Sequence, residues 1–100
     1  MEAETSSFVA ECFWPDVRVA DLEALDRRVR AVTADLGERR GVRYLGSILV
    51  REDEVVLCHF EGSADAVREA AERAAVPFER ILETTRAPRP GVDDTERRQR

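Results

Sequence analysis

The sequence contains no lysine; all 16 of its basic residues are arginine, set against 21 Asp and Glu for a net charge of −5. Arg28, Arg30, Arg39, Arg68 and Arg73 are interleaved with acidic residues and form no basic stripe. Nucleic-acid binding needs clustered cations that displace counterions from phosphates, so this charge pattern argues against it. These arginines are expected to pair along helix surfaces instead. No run approaches the ~18–20 apolar residues of a membrane-spanning helix. The acidic opening MEAETSS lacks the basic and apolar regions of a signal peptide. No membrane association and a cytoplasmic location are the resulting expectations.

Cysteine and histidine are nearly absent as well. Cys12 and Cys58 each sit inside an apolar run, unlike the closely spaced pairs that hold zinc or run redox chemistry. They read as ordinary buried thiols, with a disulfide open to them only if neighbouring strands bring their Cα atoms within ~7 Å. There is no Gly-rich phosphate loop, no Gly-x-Ser-x-Gly elbow and no His-Glu-x-x-His. A serine triad through Ser47 would have to recruit the single histidine, His59, from the opposite expected sheet face, and is rejected. What remains is 100 residues, 43% apolar and 37% charged, enough for one small core coated with charge.

The periodicities order this chain clearly. Phe8 to Trp14 is aromatic and apolar enough for a strand, ended by Pro15 and Asp16. From Asp21 to Leu36 the residues Leu22, Leu25, Val29, Val32 and Leu36 recur at helical steps, with Gly37 as the expected stop. Val42 to Arg51 and Glu54 to Glu61 form a predicted hairpin around Glu52 and Asp53. Ser63 offers an N-cap to a helix carrying Ala66, Val67, Ala70, Ala71 and Ala74 and ending before Pro77. Arg80 to Arg86 is a final strand. This order is that of an α+β, ferredoxin-like βαββαβ domain, a four-stranded antiparallel sheet with two helices on one face. The domain is expected at residues 7–86, between a flexible segment 1–6 and a disordered tail 87–100.

Strict alternation along the strands sorts their side chains into two faces. Phe8, Ala10, Cys12, Leu45, Leu49, Val56, Cys58, Phe60, Leu82 and Thr84 are assigned to the helix side. Val9, Glu11, Phe13, Tyr44, Gly46, Ile48, Val55, Leu57, His59, Ile81 and Glu83 are assigned to the open side. An open face this apolar implies a homodimer through it. Phe13, Tyr44, Ile48, Leu57 and His59 are the expected dimer face or ligand pocket. Glu11, His59 and Glu83 fall on three adjacent strands, and two carboxylates with an imidazole are donors for a divalent metal or for proton transfer.

Several stretches carry a family likeness. Tyr44-Leu45-Gly46-Ser47-Ile48-Leu49, Leu57-Cys58-His59-Phe60-Glu61, Ala66-Val67-Arg68-Glu69-Ala70-Ala71 and Pro77 with Arg80-Ile81, preceded by Phe8-Val9-Ala10-Glu11 and Pro15, follow one register. In that register the chain resembles the small actinobacterial ferredoxin-like nickel-binding proteins over about residues 8–86. The resemblance implies a homodimer and a divalent metal such as nickel. It also implies that two family histidines are replaced here, by Gly46 and Ala70, leaving a degenerate metal site and a metal- or small-ligand-binding role. The alternative is a cofactor-free dimeric α+β barrel oxygenase or cyclase for a small aromatic or polyketide-like substrate, its pocket lined by Phe13, Trp14, Tyr44, Phe60 and His59. That reading rests on analogy of fold.

Overall fold

A computed structural model describes residues 6–85 of the chain. Arg86, the proposed tail 87–100 and all of the proposed flexible start except Ser6 lie outside those residues. The elements run β1 (Ser6–Phe13), α1 (Val19–Arg40), β2 (Arg43–Val50), β3 (Val55–Gly62), α2 (Ala64–Arg73) and β4 (Arg80–Thr84). The sheet order is β2-β3-β1-β4, with every neighbouring pair antiparallel. The helices lie together on one side, α1 against β2 and α2, and α2 against β1 and β3. This is the ferredoxin-like arrangement expected from the sequence.

Leu25, Val29 and Leu36 of α1 are fully buried against Phe60, Val56, Cys12 and Cys58 of the sheet. Each such side chain contributes roughly 1.5–3 kcal/mol through removal of apolar surface from water. The helix runs one turn beyond the expected stop at Gly37. Glu38, Arg39 and Arg40 tolerate helix well, and Gly41 instead supplies the left-handed terminal residue (φ 69°), its N–H donating to the Gly37 carbonyl at 2.7 Å. At the other end the Arg18 N–H donates to Asp21 Oδ2 at 2.9 Å, placing a carboxylate at the positive pole of the helix.

Ser63 caps α2 as expected, its Oγ accepting the Ala66 N–H at 3.1 Å. The small buried side chains of Ala66, Ala70 and Ala71 let α2 lie close to β1 and β3. Arg30, Arg39, Arg68 and Arg73 do pair with helix carboxylates. Arg28 behaves differently: it donates to the carbonyls of Ala74 and Ala75 at 2.9 and 3.3 Å and so ties α1 to the end of α2.

The β2–β3 connection spans Arg51 to Glu54, wider than the expected two-residue loop. Glu54 adopts φ 53° and works as a latch. Its carbonyl accepts the Trp14 N–H and its Oε2 accepts the Asp16 N–H, both at 2.8 Å.

Candidate functional site

Two departures from the expected face assignments decide what reaches the open face. The first is in β2. Tyr44 pairs with Phe60 and Gly46 with His59, so Leu45 is an extra residue, a β-bulge. Gly46 has φ 116°, a conformation that side-chain-bearing residues rarely adopt. The bulge turns Tyr44 to the helix side, where it meets the Phe60 ring at 5.5 Å between centroids and donates its hydroxyl to Asp26 of α1 at 2.8 Å. Leu45 moves the other way and lies 43% exposed beside His59. The assignments of Tyr44 to the open face and of Leu45 to the helix side are both reversed.

The second departure is in β4, whose register is one residue off the expected one. Leu82 pairs with Val9 and is 37% exposed on the open side, whereas Ile81 pairs with Ala10 and packs against the core. Thr84, opposite Ser7, also belongs to the open side. Glu83 stands opposite Phe8 on the helix side and is thereby separated from Glu11 and His59. The carboxylate–imidazole–carboxylate triad expected from the sequence therefore does not assemble.

Glu11 and His59 do share the open face, Glu11 opposite Leu57 and His59 opposite Val9. Glu11 is engaged, its Oε1 accepting Arg80 Nε at 2.5 Å. His59 is not: its Nε2 is buried without a hydrogen-bond partner. It stands between two open grooves. One, of about 280 Å³, is lined by Ser7, Leu45, His59, Phe60, Thr84 and Thr85. The other, of about 230 Å³, is lined by Leu45, Gly46, Ser47, Ile48 and His59.

Phe13 and Ile48 reach the open face as expected, 52% and 53% exposed, with Leu57 between them on β3. The aromatic residues do not converge on His59. Phe60 is fully buried on the helix side, Tyr44 packs on it, and Trp14 packs against the core.

Among the described residues, no three His, Cys, Asp or Glu side chains are grouped so as to hold a metal ion. The positions at which the resemblance implied lost histidines are also separated by the sheet. Gly46 lies on the open face opposite His59, whereas Ala70 is fully buried under α2. The donors of one chain thus do not fit a nickel centre, which wants several imidazole, thiolate or carboxylate ligands together.

A polar cluster that sequence reasoning did not single out lies on the other side of the sheet. Asp26 accepts from Arg30 Nε and from the Tyr44 hydroxyl, both at 2.8 Å. Arg30 and the Tyr44 bond hold its carboxyl below the ordinary range. Burial pushes the Tyr44 phenol up. Tyr44 and Ser47, three residues apart, share this side only because of the bulge. Glycine inside a β-rich run was the available signal.

Among the described residues, no helix is long and apolar enough to cross a membrane. A comparison with curated proteins finds no match. Among solved structures, the chain resembles that of SCO4226 from Streptomyces coelicolor A3(2), with a TM-score of 0.68 at 21% identity, over 83% of this chain and all of that one. At that identity the likeness shows the fold. The family model described as nickel responsive protein SCO4226-like matches residues 8–84. The chain therefore belongs to the SCO4226-like family of nickel-responsive proteins.

Proposed function

We propose that the chain works as a homodimer whose open sheet faces stack, and that the paired faces bind a small ligand anchored by His59. The observation that carries this reading is the His59 Nε2, a buried polar atom with no partner on a largely apolar face. Leaving such a group unsatisfied costs about 1–3 kcal/mol, which a ligand or a partner chain would recover.

A second copy is a suitable cover. Phe13, Leu45, Ile48 and Leu82 are exposed together on this face. Its charges are neutralised internally, Glu11 by Arg80 and Glu61 by Arg43 at 3.1 Å, so two copies stack without like-charge repulsion despite the net charge of −5. Four strands of this length cover roughly 500 Å² in projection. Corrugation by side chains brings that toward the ~800 Å² per partner of a stable interface.

The family's nickel response makes nickel the first ligand to try, although one chain lacks a donor set for it. Sedimentation at high micromolar concentration should give a dimer for the wild type and a monomer for Ile48→Asp. A wild-type monomer overturns the reading. Melting in the presence of nickel, zinc or cobalt identifies the ligand class, because a ligand of the folded form raises the melting temperature. A rise abolished by His59→Ala assigns a metal to this face, and no rise at saturation restricts the site to organic ligands.

A further inference from the structure

Two small residues cut into the open face on either side of His59. Ser7 stands opposite Thr84, and Gly46 stands opposite His59 itself. The dents they leave are the two grooves that flank the imidazole, with His59 and Leu45 as their common wall. Their linings differ in chemistry. The groove of about 280 Å³ carries three hydroxyl-bearing residues, Ser7, Thr84 and Thr85. In the groove of about 230 Å³ the hydroxyl of Ser47 is turned away to Tyr44 and Cys58, which leaves Ile48, Leu45 and Gly46 to give it an apolar lining. One end of the site is polar and the other is not.

The charges around it select the ligand. Glu11 is paired with Arg80, and Glu61, which stands opposite Ser7, is paired with Arg43. An amine therefore finds no unpaired carboxylate here among the described residues of this face. Both guanidinium groups are tied to those carboxylates, so a doubly charged phosphate has no net positive charge to meet. What the polar groove offers is donors. Three hydroxyls and one imidazole N–H make four, and a carboxylate presents about four acceptor sites on its two oxygens. His59 Nε2, buried and without a partner, gains most from such an acceptor.

We infer that the groove between His59 and Thr84 binds the carboxylate of a small apolar monoacid, whose hydrocarbon part runs past Leu45 to Ile48. The inference rests on the reading of the open face as the ligand site and gives that ligand a chemical class. A space of about 280 Å³ is at the small end of ligand pockets, and the second groove adds room for an apolar chain. Leu45 is the movable wall between them. It is the one residue between Arg43 and Val50 without a partner on β3, so its side chain turns aside without breaking the ladder and opens His59 to the polar groove. The Nε2–H then donates to one carboxylate oxygen, and the hydroxyls of Ser7, Thr84 and Thr85 fill the other acceptor sites. A second copy stacked on this face covers the hydrocarbon chain and keeps water from these charge-assisted bonds, which strengthens them.

The test titrates the full chain with octanoate, using octanol, octylamine and inorganic phosphate as controls. His59 is the only histidine, so its imidazole NMR resonances report this site alone. Octanoate should move them saturably and raise the melting temperature, octanol should do so at least tenfold more weakly, and octylamine and phosphate should do neither. Ser7→Ala and Thr84→Val should each weaken octanoate binding by about tenfold, the size of a lost hydrogen bond to a charged group. Their melting temperatures without ligand should match the parent's, which separates a lost contact from a damaged fold.

Unchanged affinity in both variants overturns the placement of the carboxylate. Equal shifts with octanol or octylamine overturn the ligand class and leave a His59 ligand site standing. Resonances that stay still under octanoate overturn the inference as well. Sedimentation of the same samples keeps that result apart from the reading beneath it: a dimer without a shift sinks the ligand class alone, whereas a monomer sinks the stacked dimer.

Discussion

Replacing Gly46 by alanine tests the bulge that organises β2. A Cβ at this position meets no atom within 4 Å, so the cost is not steric crowding. It is backbone strain: φ 116° is glycine territory, and holding alanine there costs about 1–3 kcal/mol. Alanine returns ~0.4–1 kcal/mol by restricting the unfolded chain.

The strand could escape the strain by giving up the bulge, but Tyr44 would then rotate to the open face. It would lose a bond to the Asp26 carboxylate, worth roughly 1.5–3 kcal/mol, and one to Ser47, worth about 0.5–1.5 kcal/mol. Its ring contact with Phe60, about 0.5–1.5 kcal/mol, would go too. Escape is thus the more expensive course. The variant should keep the bulge and lose about 1–2 kcal/mol net, a fall in melting temperature of ~4–8 °C for each kcal/mol. Urea melts give the loss, with an unchanged slope if the unfolded state is the same. Tyrosine near-ultraviolet dichroism or side-chain NMR reports whether Tyr44 stays on Asp26. A variant as stable as the parent would refute the requirement for a left-handed glycine, and a displaced Tyr44 would refute the ordering of the two costs.

Leu25→Ala removes a fully buried side chain in the second turn of α1 and should cost about 2–5 kcal/mol in urea unfolding, enough to bring a domain of this size near its limit. Ser63→Ala leaves the Ala66 N–H without its cap and should cost about 1 kcal/mol, against almost nothing for Ser63→Gly. Arg30 and Tyr44 hold the Asp26 carboxyl below its unfolded value, so the stabilisation is present above the ordinary range of ~3.9 and is lost as pH falls through the lower folded value. Asp26→Asn should therefore flatten the decline in urea midpoint below about pH 4, and an acid limb as steep as the parent's would remove Asp26 from that account.

The architecture was legible because each element carried its own period. Leu22, Leu25, Val29, Val32 and Leu36 mark a helix face that no strand would reproduce, and Ser63 and Pro77 bracket α2 by backbone chemistry. The faces were legible only where polar and apolar residues alternate, as in Cys58, His59, Phe60 and Glu61 of β3. Ile81 and Leu82 are adjacent and equally apolar, so a five-residue edge strand carries no internal sign of which one points inward. Pairing with Val9 and Ala10 decides it, and that information is not local.

In β2, Tyr44 and Leu45 are similarly ambiguous, and one inserted residue inverted every assignment before Gly46. The site inherited both errors. Glu83 left the expected triad and Tyr44 left the open face, whereas His59, Phe13 and Ile48 lie on the open face because their stretches run in step with simple alternation. The polar cluster of Asp26, Tyr44 and Ser47 escaped notice because residues three apart share a side of a strand only across a bulge.

The Glu54 latch changes what the hairpin tip is. A chain reversal of this kind ordinarily tolerates an added peptide, because nothing else in the domain depends on where it goes. Here one residue at the tip holds the backbone of Trp14 and Asp16, some forty positions earlier, as the chain leaves β1 for α1. An epitope or reporter spliced between Arg51 and Glu54 would therefore sit on a joint between two segments, and its strain would be felt at the entrance to the first helix.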